Sequence, residues 1–313
     1  MKREKITVGV VGTGVIGASW AACFLAHGYT VRATDPATGA EQRLQDRISQ
    51  CIPALERMGV TQKNEIGELS FHANIESAVT DCEIVQENGP ERLDIKRDTI
   101  QRITGASPAH ALIATSSSGI PISKLQDIAL YPERLVLGHP FNPPHLIPLV
   151  EVVGGRLTSQ QTIDRAMSFY ASLGKKPIHI KREVKGHVAN RLQAALWREA
   201  IYLVEQGVVS VSDIDAALSH GPGLRWALLG AFANLHLSGG AGGIAHTLKH
   251  LGPPIEEWWA DLGSVRLSPE LNARIEEGLN AFLAETDEAQ MVAERDEALI
   301  QLLELKARSA HLP

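Results

Sequence analysis

A chain of 313 residues with 44% hydrophobic and 21% charged residues has the composition of a globular protein of one large domain or two moderate ones. Its formal net charge of −6 argues against nucleic acid or an anionic membrane as the main partner. The sequence shows no signal-peptide pattern and no run of about 20 apolar residues, and Cys23, Cys51 and Cys82 lack metal-site spacing. We therefore expect a cytoplasmic protein without a bound metal.

The first half of the sequence alternates between short apolar runs and segments with apolar residues at helical spacing. The predicted strands are 6–11, 29–34, 84–86, 112–114, 135–137 and 177–180. The predicted helices between them include 18–27, 40–58 and 91–103. Such an alternation is typical of a doubly wound α/β sheet, in which parallel strands carry helices on both faces.

Strand signals end near residue 180, and the rest of the sequence has a helical pattern. Apolar residues at helical spacing predict a helix over 188–206, and Ser210 has the position of an N-cap for the next helix. Further helices are predicted within 241–251 and 268–307. We therefore expect an α/β domain over residues 1–185 and an all-helical domain over residues 186–313.

The turn between the first strand and the first helix carries a dinucleotide-binding fingerprint. Its glycines are Gly12, Gly14 and Gly17. They allow a tight turn and bring the backbone close to a pyrophosphate at the helix N-terminus, where Val15 and Ile16 lie. Asp35 follows the second strand, where a carboxylate can bind a ribose diol and repel a 2′-phosphate. The sequence therefore predicts a Rossmann-type domain that binds NAD rather than NADP.

A histidine and a glutamate flank a Pro-rich turn later in the same domain. Glu151 stands within an apolar run of leucines and valines, where a carboxylate is costly to bury unless a partner pairs with it. His139 lies on the other side of the turn and is the natural partner. We predict that Glu151 fixes the tautomer and basicity of His139, as a general base requires.

Polar side chains also follow the neighbouring predicted strands. Three serines, Ser116, Ser117 and Ser118, come after the strand at 112–114, and His139 comes after the strand at 135–137. In open α/β sheets, ligands bind beyond the carboxyl ends of the strands. We therefore expect these side chains to face the cofactor.

In this combination of motifs the chain resembles the L-3-hydroxyacyl-CoA dehydrogenase superfamily. The matching motifs extend over nearly the whole chain: Gly12-x-Gly14-x-x-Gly17, Pro90-Glu91-x-x-x-x-Lys96, Thr115-Ser-Ser-Ser118, His139-Pro-Phe-Asn-Pro143, Leu149-Val-Glu151 and Asn190-Arg191-Leu192. The resemblance implies an oxidoreductase that uses NAD to oxidise a 3-hydroxyl group.

The resemblance also assigns roles to individual residues. It makes His139 the general base and Glu151 its orienting carboxylate. Polar groups around the reacting oxygen would come from Ser118 and Asn190. The residues implied near the cofactor, besides the glycine turn and Asp35, are Glu91, Lys96 and Ser116.

The second domain departs from the acyl-CoA enzymes at Gly221-Pro-Gly-Leu-Arg225-Trp226, which we expect to be a loop. Arg225 offers a planar fork that suits a free carboxylate, although a surface arginine can instead cap a helix carbonyl. This segment resembles the gulonate 3-dehydrogenases (the lambda-crystallin group) and the carnitine 3-dehydrogenases. The resemblance therefore favours oxidation of the L-3-hydroxyl of a small free carboxylic acid, with Asn142, Arg225 and Trp226 added to the substrate-binding residues.

Several alternatives remain open at this point. A true L-3-hydroxyacyl-CoA dehydrogenase, for example one acting on 3-hydroxybutyryl-CoA, shares the same motifs. A non-catalytic structural protein of the lambda-crystallin kind shares the same fold. A trimethylammonium group would favour an aromatic cage, but aromatics at helical spacing also form cores. The aromatic candidates are Trp197, Trp226, Phe232, Trp258 and Trp259.

The last predicted helices carry more apolar residues than one short domain easily buries. They recur at helical spacing as Leu271, Ile275, Leu279 and Phe282. We therefore expect a homodimer formed through the helical domain, which the family resemblance also implies.

Overall fold

The computed structural model describes residues 6–61 and 66–312. The chain forms two compact units that divide between Arg191 and Leu192. Within the described ranges, the first unit holds an eight-stranded sheet with helices, and the second is built from helices. None of the described helices is long and apolar enough to cross a membrane.

One sheet organises the first unit. Its strands are β1 (Thr7–Val11), β2 (Thr30–Thr34), β3 (Leu69–Phe71), β4 (Ile84–Glu87), β5 (Leu112–Thr115), β6 (Leu135–Pro140), β7 (Leu149–Gly154) and β8 (Lys176–Ile180). Their order across the sheet is β3-β2-β1-β4-β5-β6-β7-β8. Neighbouring strands are parallel except β6 and β7, which pair antiparallel. The predicted Rossmann-type α/β fold is confirmed.

Helices cover both faces of this sheet. They are α1 (Val15–Ala26), α2 (Ala40–Arg57), α3 (Ile75–Val79), α4 (Leu93–Ala106) and α5 (Gln160–Ser172). One apolar cluster joins the sheet to α1, α2 and α5 and contains the fully buried Trp20, Phe24 and Tyr170. A second cluster joins the sheet to α3 and α4 through residues such as Val79 and Ile100. Strands buried on both faces explain the nearly continuous apolar runs in the sequence.

The sheet differs from its prediction around the Pro-rich turn. Strands β3 and β7 are absent from the predicted set, because β3 has three residues and β7 follows a segment with turn character. The prediction that His139 follows a strand is wrong, since β6 continues through His139 to Pro140. Pairing with β7 extends β6 and places His139 directly opposite Glu151.

The remaining helices begin at residue 189. They are α6 (Ala189–Glu205), α7 (Val211–His220), α8 (Pro222–Leu228), α9 (Ala231–Ser238), α10 (Gly243–Asp261), α11 (Pro269–Leu283) and α12 (Glu288–Arg308). The side chain of Ser210 caps α7 by accepting the backbone N–H of Asp213, as predicted. The predicted loop at Gly221–Trp226 is wrong, because Pro222 starts the helix α8, a position that suits proline.

Candidate active site

The glycine-rich turn between β1 and α1 leaves open space at the helix N-terminus. A side chain on Gly12, whose φ is +86°, would collide with the backbone of Asn88 and Gly89. A side chain on Gly17 would collide with the carbonyl oxygen of Gly12. A Cβ on Gly14, in contrast, would meet no atom within 4 Å. The turn is therefore tight on one side and open on the other, which fits the pyrophosphate of a dinucleotide.

A cleft of about 690 Å³ opens beyond the carboxyl ends of β1, β2 and β4, and Gly14, Asp35 and Asn88 are among the residues that line it. The Asp35 carboxylate accepts the backbone N–H of Thr13 at 2.8 Å and that of Ala37 at 2.9 Å. These bonds fix the carboxylate at the edge of the cleft, where a ribose diol would lie. Val15 and Ile16 form the first turn of α1 beside the same cleft.

Arg32, on β2, is directed away from the end of that strand. Its Nη2 donates to the carbonyl oxygen of Ser77 at 2.6 Å, and its Nε donates to that of Ala78 at 3.2 Å. Both acceptors belong to α3. The Arg32 guanidinium binds α3, whereas the Asp35 carboxylate lines the cleft. This geometry fits NAD better than NADP.

A buried ion pair lies under the loop that follows β4. The Lys96 Nζ contacts the Glu87 carboxylate at 2.9 Å and donates to the carbonyl oxygen of Gly89 at 3.0 Å. Glu87 also accepts the hydroxyl of Thr115 at 2.5 Å and the backbone N–H of Gly89 at 2.6 Å. The side chains of Lys96 and Glu87 are 1% and 0% exposed. The resemblance implies that Lys96 lies near the nicotinamide ribose. In the structure, Lys96 binds the carbonyl of Gly89, which lies in the loop that lines the cleft.

Glu91 organises the turn that follows β5. Its carboxylate accepts the hydroxyl of Ser117 at 2.6 Å and the backbone N–H groups of Gly119 and Ile120 at 2.7 and 2.9 Å. Burial raises the pKa of Glu91, but these hydrogen bonds outweigh it, and the pKa lies below its ordinary value. The backbone N–H of Ser118 also points to this carboxylate, at 3.4 Å. Glu91 and Ser118 therefore belong to one ordered turn.

A chain of polar side chains that was not predicted crosses the middle of the sheet. The Tyr170 hydroxyl donates to the Oε1 of Gln86 at 2.7 Å, and the Nε2 of Gln86 donates to the hydroxyl of Ser116 at 2.8 Å. Ser116 in turn donates to the Oδ1 of Asn88 at 2.7 Å, at the edge of the cleft. The run Gln86-Glu87-Asn88 directly after the apolar Ile84 and Val85 is the sequence signal that could have revealed this network.

The predicted pairing between the histidine and the glutamate is present in the structure. The Nδ1 of His139 lies 2.9 Å from the Oε2 of Glu151, across the β6–β7 pair. Both residues are buried, with Glu151 fully so. A carboxylate can only accept here, so the neutral imidazole carries its proton on Nδ1 and leaves Nε2 unprotonated.

The second oxygen of Glu151 holds the start of α6. Oε1 accepts the backbone N–H groups of Val188 and Ala189 at 3.0 and 2.9 Å. Asn190 is the second residue of that helix. One carboxylate therefore orients His139 and fixes the segment that carries Asn190, which brings three of the four predicted catalytic residues together.

These contacts also determine the charge of Glu151. Burial raises its pKa, while the hydrogen bonds from His139, Ala189 and Val188 lower it, and the pKa lies below the ordinary value. Glu151 therefore stays ionised beside His139 at neutral pH. A negative charge at this position stabilises the imidazolium that forms when His139 takes up a proton.

We expect Glu151→Gln to lower kcat by about 10²-fold, because a glutamine carries no charge and can donate to His139 as well as accept. Steady-state kinetics measures this effect. Glu257→Gln, which removes an exposed carboxylate on α10, should leave kcat unchanged. A wild-type kcat in Glu151→Gln would show that the carboxylate does not support the base.

The same variant should change how stability depends on pH. Because the folded state lowers the pKa of Glu151, the ionised carboxylate stabilises the fold above its unfolded pKa, and this contribution is lost as the pH falls through the folded value. The difference in urea midpoint between the wild type and Glu151→Gln should therefore shrink toward acid pH. A constant difference across that range would contradict the assignment.

The remaining predicted substrate residues lie in different places. Asn142 is exposed in the turn between β6 and β7 and precedes a cis peptide bond to Pro143. Arg225 and Trp226 are exposed on α8 in the second unit. All of the candidate cage aromatics are exposed: Trp197, Trp226, Phe232, Trp258 and Trp259. They do not form a core within the described part of this chain.

Two family models match the chain. Residues 7–184 match "3-hydroxyacyl-CoA dehydrogenase, NAD binding domain", and residues 186–262 match "3-hydroxyacyl-CoA dehydrogenase, C-terminal domain". Together they cover the sheet domain and the first helices after it.

Characterised relatives are similar over almost the full length of the chain. It is 47% identical to the L-carnitine dehydrogenase of Streptomyces griseus, over 96% of this chain and 90% of that protein. It is 45% identical to the L-carnitine dehydrogenase of Bacillus cereus, over 96% and 92%. Among solved structures, a 5-formyl-3-hydroxy-2-methylpyridine 4-carboxylic acid 5-dehydrogenase, an NAD-dependent dismutase, superposes with a TM-score of 0.84 at 31% identity, over 97% of this chain and 99% of that one.

Proposed function

The chain belongs to the 3-hydroxyacyl-CoA dehydrogenase family, and we propose that its substrate is L-carnitine or a closely similar free 3-hydroxy acid, which it oxidises to the 3-keto acid. It is an NAD-dependent oxidoreductase, as the sequence predicts. The observation that carries the substrate proposal is the 40–47% identity to L-carnitine dehydrogenases over most of the chain.

The His139–Glu151 pair supports the chemistry of this proposal. The neutral Nε2 of His139 takes the proton from the substrate hydroxyl as the C–O bond becomes a carbonyl. NAD, when bound, accepts the hydride that leaves the same carbon. Glu151 holds the Nδ1 proton and balances the positive charge that develops on the imidazole. Asn190, the second residue of α6, would hold the substrate oxygen beside the base.

Two features of the second unit fit a zwitterionic acid. Arg225 is exposed and free to offer its guanidinium fork to a carboxylate. The exposed tryptophans supply aromatic faces of the kind that attract a trimethylammonium group. A 3-hydroxyacyl thioester has neither of these charged groups.

A substrate panel tests the proposal. NAD reduction is measured with L-carnitine, D-carnitine, L-gulonate, L-3-hydroxybutyrate and 3-hydroxybutyryl-CoA. We expect L-carnitine to give the highest kcat/KM and D-carnitine to be inert. An equal or higher value for 3-hydroxybutyryl-CoA would identify an acyl-CoA enzyme instead. If no substrate reacts and NADH does not quench protein fluorescence, the protein is a non-catalytic structural protein instead.

Arg225→Ala separates a free-acid dehydrogenase from an acyl-CoA dehydrogenase. We expect the KM for L-carnitine to rise about 10- to 100-fold, because a charge-assisted hydrogen bond to the carboxylate is lost. NADH affinity and any activity on 3-hydroxybutyryl-CoA should not change. Arg266→Ala removes another exposed arginine of the second unit and serves as the matched control. An unchanged KM for L-carnitine would remove Arg225 from the substrate site.

The second unit also supports the proposal of a homodimer. Among the described hydrophobic side chains of this unit, only Val204, Leu271 and Ile300 are buried. Leu279 and Phe282 of α11 are 38% and 53% exposed, although the helical pattern marks them as an apolar face. A second copy of this chain would cover such a surface. Analytical ultracentrifugation should show a dimer, and a species that remains monomeric at all concentrations would disprove it.

A further inference from the structure

A second buried histidine lies against the proposed base. The ring centroid of His187 is 5.1 Å from that of His139, with the planes inclined by 50°, and His187 is only 4% exposed. It lies immediately before the two N–H groups that bind Glu151. An imidazole in this position is unusual, because a polar ring beside a buried base is harder to accommodate than an apolar one.

One hydrogen bond of the His187 ring defines its tautomer. Its Nε2 lies 3.3 Å from the carbonyl oxygen of Ser117, which can only accept, so Nε2 carries the proton. Its Nδ1 is buried and has no hydrogen-bond partner among the described residues. A bare nitrogen in the interior without a partner weakens the fold, and this cost points to a functional role.

The backbone at His187 is also constrained. Its φ is +49°, in the left-handed region that side-chain-bearing residues seldom adopt, and it follows Gly186 at +71°. This double turn directs the next two N–H groups to Glu151. Histidine and asparagine tolerate such a conformation better than most residues, so the backbone alone could account for a histidine here.

We propose that His187 is a positioning residue for His139: Ser117 holds it as the Nε2–H tautomer, and its unprotonated Nδ1 helps to stabilise the imidazolium formed when His139 accepts the substrate proton. This inference rests on the proposed role of His139 as the base. The Ser117 carbonyl binds the positive end of the imidazole dipole, and the bare Nδ1 belongs to its negative end, on a ring 5.1 Å from that of His139.

Burial and the neighbouring His139 keep His187 neutral. Burial lowers its pKa first, and the neighbouring His139 lowers it further, against opposing effects of the Ser117 carbonyl and of the Glu151 and Glu91 carboxylates. A second imidazolium beside His139 would place two like charges next to each other in the interior. His139 is in direct contact with the Glu151 carboxylate, which can balance a positive charge on that ring.

Two variants distinguish a role of the Nδ1 atom from a role of the backbone conformation or of the ring shape. His187→Asn preserves the tolerance for the left-handed backbone but removes the ring. His187→Phe preserves a ring of similar shape but removes both nitrogens. His179→Gln, an exposed histidine of β8, is the control. Circular dichroism and the Tm establish that each variant is folded, and if one is not, the other carries the test.

The readout is the titration of ¹⁵N-labelled histidines by NMR in the full-length protein saturated with NAD. We expect the wild type to show His187 protonated on Nε2 and bare on Nδ1 around pH 7. We expect His139 to titrate at a lower pH in each folded His187 variant, and kcat to fall about threefold to tenfold. An unchanged His139 titration in a folded variant, or a proton on Nδ1 of His187 at neutral pH, overturns the proposal.

This titration needs no substrate, so a wrong substrate assignment leaves it readable. Failure of His139 itself as the base would appear separately, as turnover in a variant that lacks its imidazole. The two results therefore distinguish an error in the proposed function from an error in the role of His187.

Discussion

His139→Gln should lower kcat by about 10²–10⁴-fold, because glutamine cannot accept the proton that leaves the substrate hydroxyl. The binding of NADH should be unchanged, since the cofactor cleft is lined by other residues. Stopped-flow and steady-state absorbance at the NADH band measure the first effect, and fluorescence quenching by NADH measures the second. The combination would place His139 in the chemical step rather than in cofactor binding.

His179→Gln is the matched control for this experiment, because it makes the same replacement at an exposed histidine of the same domain. It should leave kcat and NADH binding unchanged. Near wild-type turnover in His139→Gln would remove His139 as the base. Loss of NADH binding in that variant would instead indicate that the substitution disturbs the fold.

Lys96→Met should lower the free energy of unfolding by about 3–5 kcal/mol, because it leaves the fully buried Glu87 carboxylate without its countercharge. Urea unfolding at neutral pH measures the loss. Glu87→Gln combined with Lys96→Met should recover much of it, since a buried ion pair contributes little compared with well-packed neutral groups. NADH binding should weaken in Lys96→Met, because the Gly89 carbonyl loses its donor and Gly89 lines the cleft.

Arg92→Met provides the comparison with an exposed ion pair. Arg92 contacts Asp94 at 2.6 Å, but both side chains are largely exposed, so water screens their interaction. This variant should leave stability nearly unchanged. If Lys96→Met were as silent as Arg92→Met, the buried ion pair would not be what holds the loop after β4.

The sequence was most informative where a physical constraint acts locally. The glycine turn is visible because its three glycines stand at a fixed short spacing from the end of a strand to the first turn of α1. Asp35 is visible because it directly follows β2, one helix and one strand after that turn. The helical domain is visible because apolar residues recur at helical spacing over long segments that lack strand signals.

The His139–Glu151 pair is the one long-range contact of the candidate site that the sequence predicted. It could be anticipated because a carboxylate in an apolar run demands a partner, and a turn joined the two residues. The prediction that Arg225 lies in a loop was wrong, since Pro222 starts a helix that contains Arg225. In this protein, the need of a buried carboxylate for a partner predicted a contact correctly, whereas a Gly/Pro-rich segment predicted a loop that is a helix.

By itself, the sequence determined the class of fold and the cofactor, and it predicted the contact between His139 and Glu151, because these depend on short-range pattern and on the cost of burying charge. Tertiary structure alone decided the antiparallel β6–β7 register and the capping of α6 by Glu151, whose partners lie 37 and 38 residues away. It alone brought His187 to Ser117, 70 residues earlier, and against His139. The physical reason is that such contacts arise from the packing of whole elements, which no local spacing of residue types encodes.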